Sequence, residues 1–453
     1  MNSITQKNAN RLALGIIEKY KCSYDKALEI LASLQLNLIC GQEISKSMPL
    51  QAALLTAVNC GKRAFLGGVN IQLAENTPCL LLWPKQLYLN DILKELGASI
   101  GCLPENCFSI TFGMPAIGED SVQVVCNSWQ GGIVPSGENI KLSENSDLPL
   151  GGIAAGALGV ATAFFKMSTV DITSGDSPVG ISLWNPGAKW NLIDGDGPKI
   201  KFLPEKFWLL GLGHLGQAYL WCIGLLPYPR TSKAKILLQD YDRIEEANWS
   251  AGVLCDGSNV NEYKTRVCSE WLEDRSFTTT ITERKFDSKT KRDGEEPFIA
   301  LCGFDSAASR TLLNNDDFDL IVEAGLGSKL MTFDDMSIHT FPTSLKTPQE
   351  LWGDAEPQEE VLNKTVLEKF KDLEDGDCGI IPLSIASKAI SSSFVGVFAA
   401  SIVIAELVRG LNGGEKYDKI SVQLRNMDML FSKPSPRPYL TELSRNGFVE
   451  LSD

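Results

Sequence analysis

Basic charge, histidine, paired cysteines and long apolar runs are all scarce in this 453-residue sequence. Lysine and arginine number 42 against 56 aspartates and glutamates, a formal net charge of −14. Neutralising a phosphate backbone takes a basic surface, so general nucleic-acid binding is excluded as a first reading. Only two histidines are present, His214 and His339, and the twelve cysteines include no C-x-x-C pair. Neither four cysteines nor a mixture of cysteine and histidine has the spacing of a structural zinc site. The cysteines then read as reduced, mostly buried thiols that pack as small apolar residues. The longest apolar runs, such as GGIAAGALGVATAFF at residues 151–165, fall short of the roughly 20 residues that cross a bilayer, so no membrane span is expected. The opening MNSITQKNANRLALGII is polar and lacks the basic-then-apolar order of a signal peptide, so a cytoplasmic protein is expected.

What remains is an ordinary globular composition, 44% apolar, in a chain longer than one hydrophobic core usually supports. Two domains are the default. Residues 8–35 carry apolar positions at helical intervals (Leu12, Ile16, Ile17, Tyr20, then Ala27, Ile30, Leu31), with a break at residues 21–24, which predicts a leading helical pair. From Arg63 the pattern turns to short apolar runs bounded by turn residues, AFLGGVNIQL, CLLLW and SVQVVCNSW, which suits buried strands alternating with helices. SGENIKLSENSDLP reads as a loop, and LGGIAAGALGVATAFFKM as a small-residue helix that packs closely on a neighbour. A Gly-, Pro- and Asp-rich stretch then leads to a boundary near residues 197–201, which divides the chain into 1–200 and 201–453.

The second half begins KFWLLGLGHLGQAYLWCIG, an apolar run entering a glycine turn and then a helix-periodic segment. KILLQD, FIALCG and DLIVEAGLG read as further strands, EYKTRVCSEWLE as a helix, and SFVGVFAASIVIAELVRGL as a long apolar helix. Such alternation predicts an α/β fold, a doubly wound, Rossmann-like and mainly parallel sheet. Residues 332–378 are charged, contain proline and show weak periodicity, so they read as a mobile crossover between the last core strand and the long helix.

GLGHLG supplies Gly211, Gly213 and Gly216 as G-x-G-x-x-G, a turn that brings backbone N–H groups and a helix N-terminus to phosphate oxygens. Asp240 ends the following strand, where an acidic side chain can take ribose hydroxyls. To this point a nicotinamide-dependent oxidoreductase fits equally well. The next run, DYDRIEEANWSAGVLCDGSNVNEYK, sets Asp240, Asp242, Ile244, Asn248 and Lys264 in order, and GFDSAASR then sets Asp305 ahead of Arg310.

This series resembles the ubiquitin-activating enzymes and the ThiF-type sulfur-carrier adenylyltransferases of thiamine and molybdopterin synthesis, whose motif is D-x-D-x-I-x-x-x-N, a later lysine and a D-N-x-x-x-R segment. The resemblance covers roughly residues 201–327. It implies ATP and Mg2+ as cofactors, Asp240 on the ribose, Lys264 on the phosphates and Asp305 on the metal, with Asp242, Asn248 and Arg310 completing the site. It also implies that residues 1–200 are a degenerate, inactive adenylation-type α/β domain, since LPLGGIAAGALGVATAFFKM followed by ISLW is similar to the helix-then-strand tail of such a domain. An unrelated α/β domain is the alternative there.

Two departures stand out. The family writes N-L-N-R-Q where this chain has NWSAG, so Ala251 replaces an arginine, and Ser306 replaces an asparagine. Arg243, Arg266, Arg11 or Lys19 could supply the missing cation. By resemblance the activated carboxylate belongs to the C-terminus of a ubiquitin-like protein, which passes to a cysteine as a thioester and then to a conjugating enzyme. Cys378, in DGDCGII at the end of the crossover, is the candidate nucleophile, although Asp375 and Asp377 beside it would raise a thiol pKa. The length suggests a compact bacterial version acting as monomer or homodimer. Three other functions stay open: a sulfur-carrier or small-carboxylate adenylyltransferase without a thioester step, a non-catalytic scaffold that holds a ubiquitin-like protein, and the oxidoreductase.

Overall fold

The computed structural model describes residues 9–313, 318–354, 388–437 and 442–451. Two helices lead, α1 (Leu12–Tyr20) and α2 (Tyr24–Ser33). Lys21 stops α1 in the left-handed region (φ 52°), and the Ser23 side chain accepts from the Lys26 N–H to start α2. The first half continues as β1 (Gln35–Cys40), α3 (Met48–Ala64), β2 (Gly68–Gln72), α4 (Leu89–Glu95), β3 (Ser99–Ile100), β4 (Phe108–Phe112), β5 (Ser121–Cys126), β6 (Gln130–Pro135), α5 (Leu150–Met167) and β7 (Val179–Ser182). The strands form one sheet in the order β3-β2-β1-β4-β5-β6-β7. β1 to β5 pair in parallel, and β6 and β7 join antiparallel.

The second half contains β8 (Phe202–Pro204), β9 (Lys206–Leu210), α6 (His214–Gly224), β10 (Lys235–Gln239), α7 (Lys264–Glu273), β11 (Thr278–Thr282), β12 (Ile299–Cys302), α8 (Ala307–Thr311), β13 (Leu320–Leu326) and β14 (Asp335–Phe341). It ends with α9 (Pro348–Trp352), α10 (Ser393–Leu411), β15 (Tyr417–Gln423), β16 (Phe431–Pro434), α11 (Glu442–Asn446) and β17 (Phe448–Glu450). Its main sheet runs β11-β10-β9-β12-β13-β14-β15-β16, while β17 and β8 form a separate antiparallel pair. β9 to β13 are parallel, and β14 to β16 are antiparallel additions. Apart from the extra β16, this is the strand order of the first half. In each half a long apolar helix, α5 or α10, intervenes between the last two matching strands. The α/β, doubly wound class expected from the sequence therefore holds for both halves.

The halves meet through these helices and share one continuous apolar core. α5 approaches α3 closely because Gly152 and Gly156 carry no side chain: a Cβ at Gly152 would lie 1.9 Å from the Pro49 carbonyl oxygen. Phe164 and Phe165 of α5 pack on Phe394 of α10 with ring centroids 5.7 and 5.9 Å apart. The Trp221 indole N–H of α6 donates to Thr56 Oγ1 of α3 at 3.0 Å. α5 and α10 are each long and apolar enough to cross a membrane, yet each is 89% buried inside the protein and serves as a core helix.

Two expectations are corrected. CLLLW forms no strand: Cys79 to Trp83 lie between Pro78 and Pro84, and the segment turns back so that the Cys79 N–H donates to the Leu87 carbonyl. The crossover does not begin at Thr332, because residues 335–341 are β14, paired on both sides. Met336 and Ile338 are buried while Ser337 and His339 face the other way, and that half-polar pattern hides the strand from a search for apolar runs.

Candidate functional site

The second half opens its site where β9 ends. Gly211 has φ 85°, a left-handed conformation that favours glycine. A Cβ at Gly216 would lie 2.1 Å from the Gly211 carbonyl oxygen, so only glycine lets α6 close on the strand end. Gly213 is different: a Cβ there would meet nothing within 4 Å, and no side chain caps α6. The turn thus presents uncapped backbone N–H groups on an open side, as an anion cradle requires.

Asp240 sits directly behind the turn and is buried. One carboxylate oxygen accepts from the Leu212 N–H at 2.6 Å, the other from the Asp242 N–H at 2.8 Å. Asp242 in turn pairs with Lys264 Nζ at 2.9 Å. Burial pushes the Lys264 ammonium down, but the carboxylates of Asp240, Asp242 and Asp305 outweigh burial and hold its pKa above the usual lysine range. Lys264 is therefore a fixed cation at the N-terminus of α7.

Asp305 follows β12 across the mouth of the turn. Gly303 brings it there, since a Cβ at that position would press to 2.9 Å from the Gly216 nitrogen. Asp305 is exposed, and among the described residues no hydrogen bond or ion pair ties up its carboxylate. Ser306 caps α8 by accepting from the Ser309 N–H at 3.1 Å. Arg310 stands behind this loop rather than in the cradle, with its guanidinium donating to the Phe304 carbonyl at 2.8 and 3.1 Å. Glu323, fully buried and 2.5 Å from His339 Nδ1, draws Arg310 inward. Asn248 likewise works on the backbone: its side-chain oxygen accepts from the Glu245 N–H and closes the turn that holds NWSAG.

The first half supplies two arginines here, Arg11, one of the four cations considered above, and Arg63, which no local pattern singled out. Arg63 of α3 is buried and donates to the carbonyls of Trp249, Gly252 and Cys255 at 2.9, 3.0 and 3.2 Å, gripping the segment that contains Ala251. Asn59 joins it by donating to the Val253 carbonyl at 3.1 Å. Arg11, which precedes α1, bonds through its backbone N–H to Ser250 Oγ and through Nε to the Ala389 carbonyl. Burial lowers the Arg11 pKa to about 10 against the opposing pull of Asp305 and Glu245. Of the four cations weighed for the Ala251 vacancy, Arg11 is the one whose charge interacts with Asp305. Arg243 lies over Tyr263 at 3.8 Å, Arg266 pairs with Glu283 at 2.8 Å, and Lys19 bonds the Thr169 carbonyl.

His214 adds a contact with no motif to mark it. Its Nδ1 lies 2.8 Å from Ser391 Oγ, which joins the glycine turn to the chain just before α10. Burial first, and then the Arg11 charge, lower its pKa to about 3, so the ring is neutral. Cys378 lies outside the described residues. Cys255 and Cys302 are buried in the core, and burial raises both thiols.

Residues 35–183 match the BilD N-terminal domain and residues 203–414 the BilD C-terminal domain. The bacterial E1-like protein BilD of Collimonas sp. (strain OK412) is 34% identical over 429 residues, which cover 92% of this chain and 91% of that protein. Among solved structures, E. coli MccB is similar at 15% identity with a TM-score of 0.36, covering 73% of this chain and 96% of MccB. PaaA is similar at 13% identity and a TM-score of 0.31, covering 51% of this chain and 72% of PaaA. The match over both halves makes this an E1-like protein. The chain belongs to the family of the bacterial E1-like protein BilD.

Proposed function

We propose that the chain activates the C-terminal carboxylate of a ubiquitin-like protein with ATP, first as an acyl-adenylate and then as a thioester on Cys378, for transfer to a conjugating enzyme in the cytoplasm. The observation that carries this reading is the convergence of Asp240, Lys264 and Asp305, with Arg11 from the first half, on the mouth of the glycine turn. ATP, consumed as co-substrate, supplies the α-phosphorus as electrophile. A carboxylate oxygen bonds to that phosphorus as the bond to pyrophosphate breaks, and no proton changes hands.

The step joins two anions, so the chain must hold positive charge where they meet. Lys264, kept protonated by three carboxylates, and Arg11 are the cations within reach. The uncapped N–H groups of α6 bind phosphate oxygens, and Asp240 offers its remaining acceptor capacity to ribose hydroxyls. Asp305 is the residue that fits Mg2+, being an exposed carboxylate with no competing partner among the described residues. No group of three or more His, Cys, Asp or Glu side chains there could hold a metal alone, which suits an ion bound largely by phosphates and water. The Cys378 thiolate then forms a C–S bond to the acyl carbon as AMP leaves with the C–O electron pair.

The test is ATP/pyrophosphate exchange with candidate ubiquitin-like proteins, alongside a non-reducing gel. Exchange that dies in Asp305→Ala and survives in Cys378→Ala, while the gel-shifted adduct disappears, is the expected result. Exchange without any adduct in the wild type would reduce the activity to adenylation. Ala251 favours one rival, a non-catalytic scaffold, and tight partner binding without exchange would select it.

A further inference from the structure

Sheet edges expose unpaired backbone groups, and proteins usually guard them with short strands, lysine, proline or bulges. Most outer strands here are guarded. β3 is two residues long, β7 only four, and β16 carries Lys433 and Pro434. β11 is the exception, five residues of sequence TTTIT, all β-branched and with no guard.

Its register shows which groups are free. The Thr278 N–H donates to the Ala234 carbonyl and the Thr282 carbonyl accepts from Asp240, so residues 278, 280 and 282 turn their backbone groups towards β10. In a parallel pair the groups of alternate residues point to opposite sides, so the N–H and C=O of Thr279 and Ile281 point outward. Beside them a groove of about 410 Å³ runs between β11 and α7, lined by Arg266, Ser269, Glu270, Glu273, Asp274 and Ile281. Ser269 Oγ contacts Thr279 Oγ1 at 2.6 Å and donates to Glu273 at 2.9 Å, which fixes the helix to the strand as the groove wall. The one cation in the lining, Arg266, is already paired with Glu283, so Glu270, Glu273 and Asp274 leave the groove acidic. Ile281, 41% exposed, gives it an apolar floor.

We propose that this groove takes an extended, lysine- or arginine-bearing segment of a partner protein, added as a new strand beside β11. Main-chain bonds to Thr279 and Ile281 give the binding, and alternate side chains reach Ile281 and the α7 carboxylates, which select a basic sequence. Phosphorylated or acidic segments are repelled. The surface lies along β11 and α7, whose ends also carry the Asp240 contact and Lys264, so binding is read directly rather than through adenylation.

The experiment uses the full chain and a fluorescein-labelled heptapeptide of alternating lysine and valine, with a glutamate-valine counterpart. Anisotropy at low salt should register the lysine probe and not the glutamate one. Glu270→Lys combined with Asp274→Lys should weaken the lysine probe about tenfold or more. Ile281→Pro removes an outward N–H without touching the β10 ladder, so it should abolish binding at unchanged Tm. Hydrogen exchange of the Thr279 and Ile281 amides should slow when the probe is added, and it decides alone if Ile281→Pro lowers the Tm. Absence of lysine-probe binding, equal binding of both probes, or bound probe with unslowed amides would each overturn the proposal.

Discussion

Arg11 and Arg63 belong to the first half by sequence and serve the second half by position. Removing Arg11 takes away a cation whose charge Asp305 feels while leaving the core intact, so Arg11→Ala should lower pyrophosphate exchange roughly a hundredfold with little change in Tm. Equal loss of Tm and exchange would mean that the side chain only anchors Ser250 and Ala389. Arg63 is the opposite case. Arg63→Met strands three buried carbonyls, and the expected loss is about 3 kcal/mol, read as a lower urea midpoint. Its neighbour Lys62 is brought down to about 7 by burial first and then by the Arg63 charge. Unfolded, it titrates near the usual 10.5, so between about 7 and 10.5 the unfolded chain holds the extra proton, and this residue's share of stability rises with pH. Lys62→Met should therefore stabilise the protein at pH about 7.5 and progressively less towards pH about 10. A gain independent of pH would show that the side chain titrates normally.

At the scale of elements, glycines decide two contacts. Gly216→Ala drives a methyl group into the Gly211 carbonyl, so nucleotide binding, measured by calorimetry, should be lost. Gly152→Val pushes α5 from α3 and should cost about 1–3 kcal/mol. A variant that keeps full stability would mean that the helices can slide apart freely. The strand-turn-helix at β9 and α6 was legible in the sequence because it is local: an apolar run, a glycine turn and a helical period all fall within 19 residues of KFWLLGLGHLGQAYLWCIG. The order Asp240, Asp242, Lys264, Asp305 is spread over more than sixty residues and was picked out only by its resemblance to an adenylyltransferase motif. β14 was not, since its exposed face is polar, and CLLLW misled because apolar runs also occur where a loop tucks alternate residues into a core. Arg63 was illegible on physical grounds, because its acceptors lie 186 to 192 residues away in the chain.

At the scale of the molecule, the two sheets share one strand order apart from β16, and α3, α5, α6 and α10 all contribute to one apolar core. Heating should give a single cooperative unfolding transition by calorimetry, the same by far-ultraviolet circular dichroism as by tryptophan fluorescence. Two separated transitions would mean that the halves are independent.

The covalent join between the halves has a kinetic meaning as well. Were Arg11 delivered by a separate subunit, the fraction of complete sites would fall on dilution. Within one chain Arg11 is held at a fixed effective concentration. Specific activity should then stay constant as the enzyme is diluted, and a fall on dilution would show that a second copy completes the site.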